Sequence, residues 1–486
     1  MRYCGITECM HDASITFIDD QGNIEFAGEA ERYSKVKNDA NLHVALKSMI
    51  EPNDYITWFE DPMLRRMKLG LMKYTPVWVK SKYNVRTFGN HHQSHCASAY
   101  YTRPWESSKD TVLLSIDGYG EYQSATIHNH KFELLYEETY PRSIGSMYSI
   151  VTDMLGYKAN QEEYIVMGMA SFGEPKYVDD IRKAQDKICR YLNLEEDHID
   201  KIGVNLSQVR PNLRMLLSQI FKNASNPDIA ASLQLWAEQE ILKLASRARK
   251  YGSKLCYAGG VAQNVKANSL VRELFDDMWI AINPTDGGCS LGAAARQYAL
   301  ATGRDRVNWI DGYLGHDDGG DINPSDVTSY LLQKSMCGVV SGPAEFGPRA
   351  LGNRSLLADP RLDIKDTVNT IKRRQKFRPF APVILEEFVN EYFEGPTSRY
   401  MQYTAQAKHD YKSVTHVDGS ARVQTVPENS RSIIRPILEE WYEKTGIPML
   451  LNTSLNVRGK PICNDRYDAY QFEVTTGAKV FYNDSY

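Results

Sequence analysis

Short hydrophobic runs separated by polar turns open the chain, and a similar pattern returns about a hundred residues later. The first set predicts strands at Tyr3–Thr7, Ser14–Ile18 and 24–27, with polar turns at 11–12 and 19–23. The second set predicts strands at 111–116, 124–128 and 132–138, with a glycine-containing acidic loop at 117–121. We interpret the two sets as similar half-domains facing each other across a cleft, although two unrelated hairpins would give the same pattern.

Helical periodicity dominates the middle of the chain. Apolar residues recur at i+3 and i+4 spacing over 229–250, which predicts an amphipathic core helix. The pattern then predicts strands at 254–258 and 280–283, a helix from Gln263 and another over 290–301. Residues 315–324 have the composition of a linker, so we expect an α/β protein with domains at 1–320 and 321–486.

Composition narrows the class of protein. The chain has 486 residues, 42% of them apolar, with 57 basic and 61 acidic side chains, so it can build a large core and is not a basic packaging protein. Its eight cysteines are scattered without a C-x-x-C pair, which favours reduced thiols over a disulfide framework or zinc ribbon. No apolar run approaches the ~18 residues of a membrane span. We therefore expect a cytoplasmic protein, in the host cytoplasm if the protein is phage-encoded.

Histidines and aspartates form one candidate metal site. His91 and His95 are four residues apart, which on a helix places both imidazoles on one face. Asp117 directly follows a predicted strand, and Asp286 lies in a strand-to-helix turn. These four side chains would suit iron, manganese or zinc. An isolated H-x-x-x-H is often incidental, and aspartate before glycine is a common turn residue.

Two further regions have the chemistry of anion sites. Gly259, Gly260 and Asn264 lie between a predicted strand and a helix, where a nucleotide phosphate can approach the backbone. The second domain holds a denser set of cationic and hydroxyl or amide side chains, at Arg349, Arg354, Lys372, Arg374, Arg378, Ser454 and Asn456. Such groups suit phosphate capture, although a solvated basic face is the usual explanation of a charged run.

Taken together, these motifs resemble the O-carbamoyltransferases of the NodU/CmcH family. The motifs that carry the resemblance are His-Asp-Ala-Ser at 11–14, the histidine cluster at 91–95, Asp-Gly-x-Gly-Glu at 117–121, Val-Met-Gly-x-Ala at 166–170, Ala-Gly-Gly-Val-Ala-x-Asn at 258–264, Phe-Gly-Pro-Arg-Ala-Leu-Gly-Asn-Arg-Ser at 346–355, Arg-Pro-Phe-Ala-Pro at 378–382 and Asn-Thr-Ser-Leu-Asn at 452–456. They span nearly the whole chain, and their combination is specific although no single motif is.

The resemblance implies an actin/hexokinase/Hsp70-like, TsaD-like first domain and a YrdC-like second domain. In the family the second domain forms carbamoyl-adenylate from ATP and carbamoyl phosphate, and the first transfers the carbamoyl group to an acceptor hydroxyl. The family's Lys-x-Arg and Ser-x-Asn correspond to Lys372, Arg374, Ser454 and Asn456, and its metal ligands to His91, His95, Asp117 and Asp286. The implied cofactors are ATP with magnesium, carbamoyl phosphate as co-substrate, and an iron-type divalent metal in the transfer site.

His11 is our candidate base for the acceptor hydroxyl, with capping of its turn as the alternative role. Four positions depart from the family pattern: Ile165 replaces a lysine, Pro343 an arginine, Gln375 a glutamate and Lys460 a glutamate. Because the central Lys, Arg, Ser and Asn are retained, we still expect activity.

The acceptor is predicted from a basic, aromatic stretch at 63–86 that contains no acidic residue. Its candidate nucleic-acid contacts are Arg65, Arg66, Lys68, Lys73, Trp78 and Lys80. Together with the phage members of the family, this stretch favours 5-hydroxymethylcytosine, or another 5-hydroxymethylpyrimidine, in DNA as the acceptor. The alternatives are a small-molecule hydroxyl on an antibiotic, sugar or toxin, and a non-catalytic TsaD-like partner in tRNA threonylcarbamoylation.

Overall fold

The computed structural model describes residues 1–64, 75–191, 208–320 and 322–483. Its strands are β1 Tyr3–Thr7, β2 Ser14–Ile18, β3 Ile24–Glu29, β4 Tyr55–Trp58, β5 Thr87–Phe88, β6 Thr111–Gly120, β7 Gln123–Asn129, β8 Leu134–Thr139, β9 Lys254–Ala258, β10 Asp277–Ile280, β11 Tyr313–Asp317, β12 Met336–Val340, β13 Pro343–Glu345, β14 Arg354–Ala358, β15 Ala381–Leu385, β16 Phe393–Glu394, β17 Ala405–Ala407, β18 Ser420–Ala421, β19 Gln424–Val426, β20 Met449–Ser454 and β21 Val480–Phe481.

The α-helices in the same ranges are α1 Ala30–Ser34, α2 Val44–Lys47, α3 Pro76–Tyr83, α4 His91–Tyr100, α5 Ile144–Met154, α6 Glu163–Met169, α7 Val178–Tyr191, α8 Val209–Ile220, α9 Asn226–Arg249, α10 Val265–Arg272, α11 Cys289–Thr302, α12 Pro324–Lys334, α13 Lys365–Ile371, α14 Val389–Tyr392, α15 Ile434–Thr445 and α16 Arg466–Thr476. Of the helices so described, none is long and apolar enough to cross a membrane. All eight cysteines are free thiols.

Two five-stranded sheets have the same strand order. The first runs β3-β2-β1-β4-β5 and the second β8-β7-β6-β9-β10. In both, the strands that follow the hairpins pair in parallel, β1 with β4 and β6 with β9. The predicted repeat is therefore present, and the duplicated order confirms the actin/hexokinase-like fold class for this part of the chain.

The chain divides into two compact units. The first contains residues 1–10, 15–24 and 50–309, and the second 11–14, 25–49 and 310–486. The sequence-based boundary at 320 assumed two consecutive segments, whereas the second unit begins at Ile310 and takes in two short N-terminal segments. Residues 313–317, which we expected to lie partly in a linker, form β11, because Tyr313 pairs with Glu345 of β13.

One predicted strand is displaced along the chain. We expected a strand over 280–283, but β10 is Asp277–Ile280, because its residues pair in parallel with Lys254 to Tyr257 of β9. Residues 281–283 therefore extend past that pairing towards the turn that contains Asp286.

The second unit is built on a six-stranded sheet of order β19-β15-β20-β14-β12-β21. Successive apolar residues of its strands alternate between two cores. Val339 and Leu357 belong to a cluster with Trp441 of α15. Val340 and Leu356 belong to a cluster with Phe472 of α16. Helices therefore cover both faces of this sheet, as in a mixed α/β fold.

Candidate functional site

The first unit brings His91, His95, Asp117 and Asp286 together. Both histidines lie in α4, whose first turn is capped by Asn90, since the side chain of Asn90 accepts a hydrogen bond from the Gln93 amide at 3.0 Å. Asp117 lies near the carboxyl end of β6, and Asp286 lies in the short 3₁₀ turn before α11. One potential ligand atom from each residue lies within 4.8 Å of the others.

The individual distances describe a compact group. The two imidazole Nε2 atoms are 3.1 Å apart. Asp117 Oδ2 lies 3.4 Å from the Nε2 of His91, and Asp286 Oδ1 lies 3.3 Å from the Nε2 of His95. Two imidazole nitrogens this close either share a proton or direct both lone pairs at a single cation.

The neighbouring His92 does not belong to this group. Its Nε2 lies 3.0 Å from the backbone carbonyl oxygen of Gln123. Burial, together with the nearby His91, lowers the pKa of His92 well below its usual range, so this imidazole is neutral. Of the three clustered histidines, the pair selected by i+4 spacing is the pair that meets the aspartates.

The electrostatics of the group fit a cation. Burial disfavours the imidazolium of His91, but the carboxylates of Asp286 and Asp117 outweigh burial and raise the pKa of His91 well above its usual range. Burial also opposes the charge on Asp117, yet His91 and His95 hold its pKa well below its usual range. A set of two nitrogens and two carboxylate oxygens matches borderline divalent transition ions, so these four residues fit a metal ion of that class.

Glycines allow the close packing behind this group. A Cβ at Gly120 would lie 1.9 Å from Cδ2 of His91. Gly259 has φ +92°, and a Cβ there would lie 2.2 Å from the carbonyl oxygen of Ile116. The next amide, that of Gly260, donates to Asp117 Oδ1 at 3.0 Å. The predicted Gly-Gly turn thus anchors one of the candidate ligands.

The second unit contains a buried lysine surrounded by hydrogen-bond acceptors. Lys372 lies at the C-terminal end of α13 and is only 3% exposed. Its Nζ donates to the backbone carbonyls of Ser454 and Asn456, and it lies 3.1 Å from Asn456 Oδ1. Ser454 Oγ donates to the same Asn456 oxygen at 2.7 Å. The predicted Lys, Ser and Asn therefore form one cluster.

Cations accumulate around this lysine. Burial, and then the guanidinium groups of Arg374 and Arg378, lower the pKa of Lys372 well below its usual range. Arg374 is held by a 2.5 Å bond from Nε to Asn369 Oδ1, and its guanidinium lies 4.1 Å from the ring centroid of Phe380. Concentrated positive charge of this kind suits a ligand with several negative charges.

Arg422 belongs to this cluster and was not predicted from the sequence. Burial, and then Arg349 and Arg378, lower the pKa of Arg422 well below its usual range. Its Nε–H is buried and has no hydrogen-bond partner among the residues that the structure describes. Arg422 lies between two short strands, far from the basic motifs, and the signal that could have found it is a charged residue within the apolar stretch Ala421-Arg422-Val423.

The comparisons with known proteins agree with this chemistry. The family model "Carbamoyltransferase N-terminus" matches residues 66–295, and "Carbamoyltransferase C-terminus" matches residues 328–486. The nodulation protein NolO of Bradyrhizobium diazoefficiens is 32% identical, with 80% of this chain and 76% of that protein covered. The chain belongs to the carbamoyltransferase family.

Two further relatives extend the match to almost the whole chain. The protein sll1178 of Synechocystis sp. is 29% identical to this carbamoyltransferase, with 96% of this chain and 93% of that protein covered. Nodulation protein U of Bradyrhizobium diazoefficiens is 28% identical, with 97% and 95% covered. The resemblance to NodU-type enzymes is confirmed.

Arg354 of this carbamoyltransferase is bound to backbone carbonyl groups. Its Nη1 donates to Ser341, Gly342 and Asn353, its Nε to Asn464 and its Nη2 to His316, at 2.8–3.1 Å. Those bonds connect four segments of the second unit. Its contact with phosphate stays a prediction, as does that of the half-buried Arg349.

His11 and Asn264 both have internal partners. His11 Nδ1 lies 3.0 Å from Asp12 Oδ2, and Asp12 is held in turn by a 2.5 Å bond from Asn38 Nδ2. Asn264 caps α10 by accepting from the Ala267 amide, and its side chain exchanges hydrogen bonds with Gln234. Their roles as base and nucleotide contact stay predictions.

Only part of the basic, aromatic stretch can be placed. Arg65, Arg66, Lys68 and Lys73 lie outside the described residues. Trp78 and Lys80 lie on α3, where Trp78 is 40% exposed. On the same helix Lys82 Nζ lies 4.5 Å from the Trp78 ring centroid and donates to Glu8 at 2.8 Å.

The departures from the family pattern fall in different environments. Ile165 is fully buried in α6, where it serves as a core residue. Lys460 supplies its backbone carbonyl to Asn456 Nδ2 at 2.7 Å, a contact that any residue could make. Pro343 begins β13, and the side-chain oxygen of Gln375 is buried without a hydrogen-bond partner among the described residues.

Proposed function

We propose that the protein is an ATP-dependent O-carbamoyltransferase that uses carbamoyl phosphate, by way of carbamoyl-adenylate, to modify an acceptor hydroxyl. The observation that carries this proposal is the buried Lys372, with Ser454, Asn456, Arg374 and Arg378 around it. Such a site can hold phosphate groups away from water, where each cation interacts more strongly with them.

The proposed chemistry of the second unit is the activation of a poor electrophile. Water cleaves carbamoyl phosphate to carbamate and phosphate, and a carbamate oxygen then attacks the α-phosphorus of ATP and displaces pyrophosphate. Lys372 and Arg374 would offset the negative charge that builds on the phosphate oxygens during this displacement. The product carries AMP as a good leaving group.

Transfer to the acceptor is assigned to the first unit. His91, His95, Asp117 and Asp286 would hold a divalent metal ion, which supplies Lewis acidity at the transfer site. As the hydroxyl oxygen attacks the carbamoyl carbon and AMP departs, a base must accept the hydroxyl proton, and our predicted base, His11, belongs to the second unit.

The test is incubation with ATP, carbamoyl phosphate and candidate acceptors, followed by mass spectrometry for the gain of one carbamoyl group. Lys372→Ala should abolish the ATP-consuming step and retain transfer from added carbamoyl-adenylate. His91→Ala should do the reverse. If both steps fail together in each variant, the division between two sites is wrong. Failure of the unmodified protein to consume ATP would favour a non-catalytic role.

For the acceptor we propose 5-hydroxymethylcytosine, or another 5-hydroxymethylpyrimidine, in DNA. The support is the basic, aromatic stretch, in which Trp78 and Lys80 are exposed on α3. Binding to DNA should weaken as the salt concentration rises. If Lys80 contacts a phosphate, Lys80→Ala should make the negative slope of log affinity against log salt shallower by about one unit. Lys183→Ala, at an exposed lysine of α7, is the matched control. Absence of binding at low salt contradicts this acceptor.

A small-molecule hydroxyl is the second candidate acceptor. The favouring observation is that Lys82 is paired internally with Glu8 and stacked near Trp78, which reduces the charge available to a DNA backbone. Carbamoylation of a free sugar or antibiotic hydroxyl, with no salt-dependent retention on DNA, would support this alternative.

A further inference from the structure

A buried carboxylate lies behind one of the candidate metal ligands. Glu60 follows β4, and its side chain is fully buried. Glu60 Oε2 lies 3.3 Å from Nδ1 of His91. The other ring nitrogen of His91, Nε2, faces Asp117 and Asp286 at 3.4 and 3.5 Å. Because Nδ1 and Nε2 lie on different edges of the ring, the imidazole separates Glu60 from the metal-ligand group.

The two residues before Glu60 are tied to neighbouring segments. Gly89 N–H donates to the carbonyl of Trp58 at 2.7 Å, and Ser94 Oγ donates to the carbonyl of Phe59 at 2.6 Å. These bonds tie the end of β4 to the first turns of α4, the helix that carries His91. The segment that leads into Glu60 is therefore held beside the helix that carries His91.

A neutral imidazole has one N–H and one lone pair, and an ionised carboxylate can only accept a hydrogen bond. A carboxylate at Nδ1 therefore favours the tautomer with its proton on Nδ1 and its lone pair on Nε2. That is the tautomer in which His91 can bind a cation between Asp117 and Asp286. Carboxylates commonly orient metal-bound histidines in this way.

The charges around the candidate metal ligands also favour a bound divalent cation. Glu60 and Glu121 lie behind the group, where Glu121 Oε1 accepts from the backbone amides of Asp61 at 2.7 Å and His91 at 3.4 Å. With Asp117 and Asp286, four carboxyl groups surround two imidazoles. Ionised together, the carboxylates would exceed even two imidazolium charges, and a divalent cation offsets the difference.

We propose that Glu60 is a positioning residue that sets the tautomer and orientation of His91 and thereby strengthens divalent-metal binding without touching the metal. This inference rests on the metal-binding part of the proposed function. Loss of the carboxylate should weaken metal affinity about 10- to 100-fold. Glu60→Gln, which retains an acceptor oxygen without the charge, should lose less than Glu60→Ala.

The whole chain is titrated with Co²⁺ alone. Equilibrium dialysis measures the affinity for Co²⁺, and the visible absorption spectrum of the bound ion is recorded. Glu8→Gln is the matched control, because Glu8 is also a fully buried carboxylate and accepts hydrogen bonds from Lys82 and Tyr83. We expect affinity in the order wild type and Glu8→Gln, then Glu60→Gln, then Glu60→Ala, with a changed spectrum in both Glu60 variants.

The outcomes separate the two levels of the proposal. If His91→Ala removes high-affinity Co²⁺ binding but both Glu60 variants match wild type in affinity and spectrum, the role of Glu60 is overturned and the metal site stands. If His91→Ala binds Co²⁺ as wild type does, the metal site itself is wrong, and the role of Glu60 falls with it.

A measurement on the unmodified protein avoids any folding defect of the variants. With ¹⁵N-labelled histidine and Zn²⁺, His91 should show a protonated Nδ1 and a metal-bound Nε2 in long-range proton–nitrogen correlation spectra. The opposite tautomer would overturn the assignment.

Discussion

Lys372 and Glu29 are ionisable side chains buried in the second unit, and burial moves each towards its neutral form. It lowers the pKa of Lys372 well below its usual range and raises that of Glu29 to about 7. The two residues lie in different surroundings, since Lys372 has arginines nearby and Glu29 has both Arg32 and Glu31. An anion bound beside these arginines would therefore change the pKa of Lys372 more than the pKa of Glu29.

Anion binding at Lys372 should be coupled to proton uptake. Negative charge favours the ammonium form, so a bound anion raises the pKa of Lys372. The affinity for the anion therefore falls as the pH rises through the pKa that Lys372 has without the anion. Sulfate is a suitable probe because it does not titrate in this range. Calorimetry in buffers of different ionisation enthalpy should report the proton. Lys372→Arg keeps its charge and should bind with little pH dependence. Equal pH dependence in both proteins would contradict the assignment.

Glu29→Gln should increase stability at neutral and higher pH. Because the folded pKa is above the unfolded value of 4.5, the folded state binds the extra proton between pH 4.5 and about 7, and stability falls as pH rises across that window. Removing the charge should recover up to about 3 kcal/mol at pH 8 and flatten the profile in urea unfolding. Glu25→Gln, at an exposed position of the same strand, is the control. A steeper profile in Glu29→Gln would refute this.

Some residues of the cationic cluster in the second unit could be predicted from the sequence, and one could not. Lys372 and Ser454 could be identified because they lie in short motifs. Arg422 could not, because a lone arginine between apolar residues gives no motif, and its approach to Arg349 and Arg378 depends on packing of the second unit.

At the scale of elements, the candidate metal group depends on where strands end. The i+4 pair on α4 and the aspartate on β6 follow from local patterns, so both could be predicted. The exact bounds of β10 follow from its pairing with β9, which local patterns do not contain. Glu60, which follows β4, was missed because a single glutamate after a strand is an ordinary surface feature.

Gly120→Ala, at the end of β6, should disturb the candidate metal group. The added Cβ would overlap the His91 ring, which the helix backbone prevents from moving freely, so we expect a loss of about 1–3 kcal/mol and weaker Co²⁺ binding. Gly168→Ala in α6 is the control, because a Cβ there meets nothing within 4 Å and alanine favours helix. Urea unfolding and dialysis measure both effects. Unchanged Co²⁺ affinity in Gly120→Ala would show that the ring has room to move.

At the scale of the whole molecule, the two units are not consecutive in the chain. Residues 25–49 belong with residues 310–486. Within this second unit Arg32 Nη2 donates to the carbonyl of Gly347 at 2.9 Å, and Lys35 pairs with Asp468. The sequence could not reveal this grouping, because contacts between residues more than 300 positions apart leave no local pattern.

A fragment of residues 310–486 should therefore fold poorly by itself. It lacks residues 25–49, among them the buried Arg32, whose guanidinium donates to Gly347, so the surface that this segment covers is exposed. Joining residues 25–49 to the fragment through a flexible linker should restore cooperative urea unfolding and near-ultraviolet circular dichroism. Cooperative unfolding of the fragment without that segment would contradict the expectation.

The grouping of residues 25–49 also sets an order of events during synthesis. Residues 310–486, with which this segment is grouped, are translated about 260 residues after it, an interval on the order of tens of seconds at about 5–20 residues per second. During that interval the segment, which includes the buried Leu42 and Leu46, lacks the rest of its unit. Protection of this segment by a chaperone would thus have to last until residues 310–486 have been made.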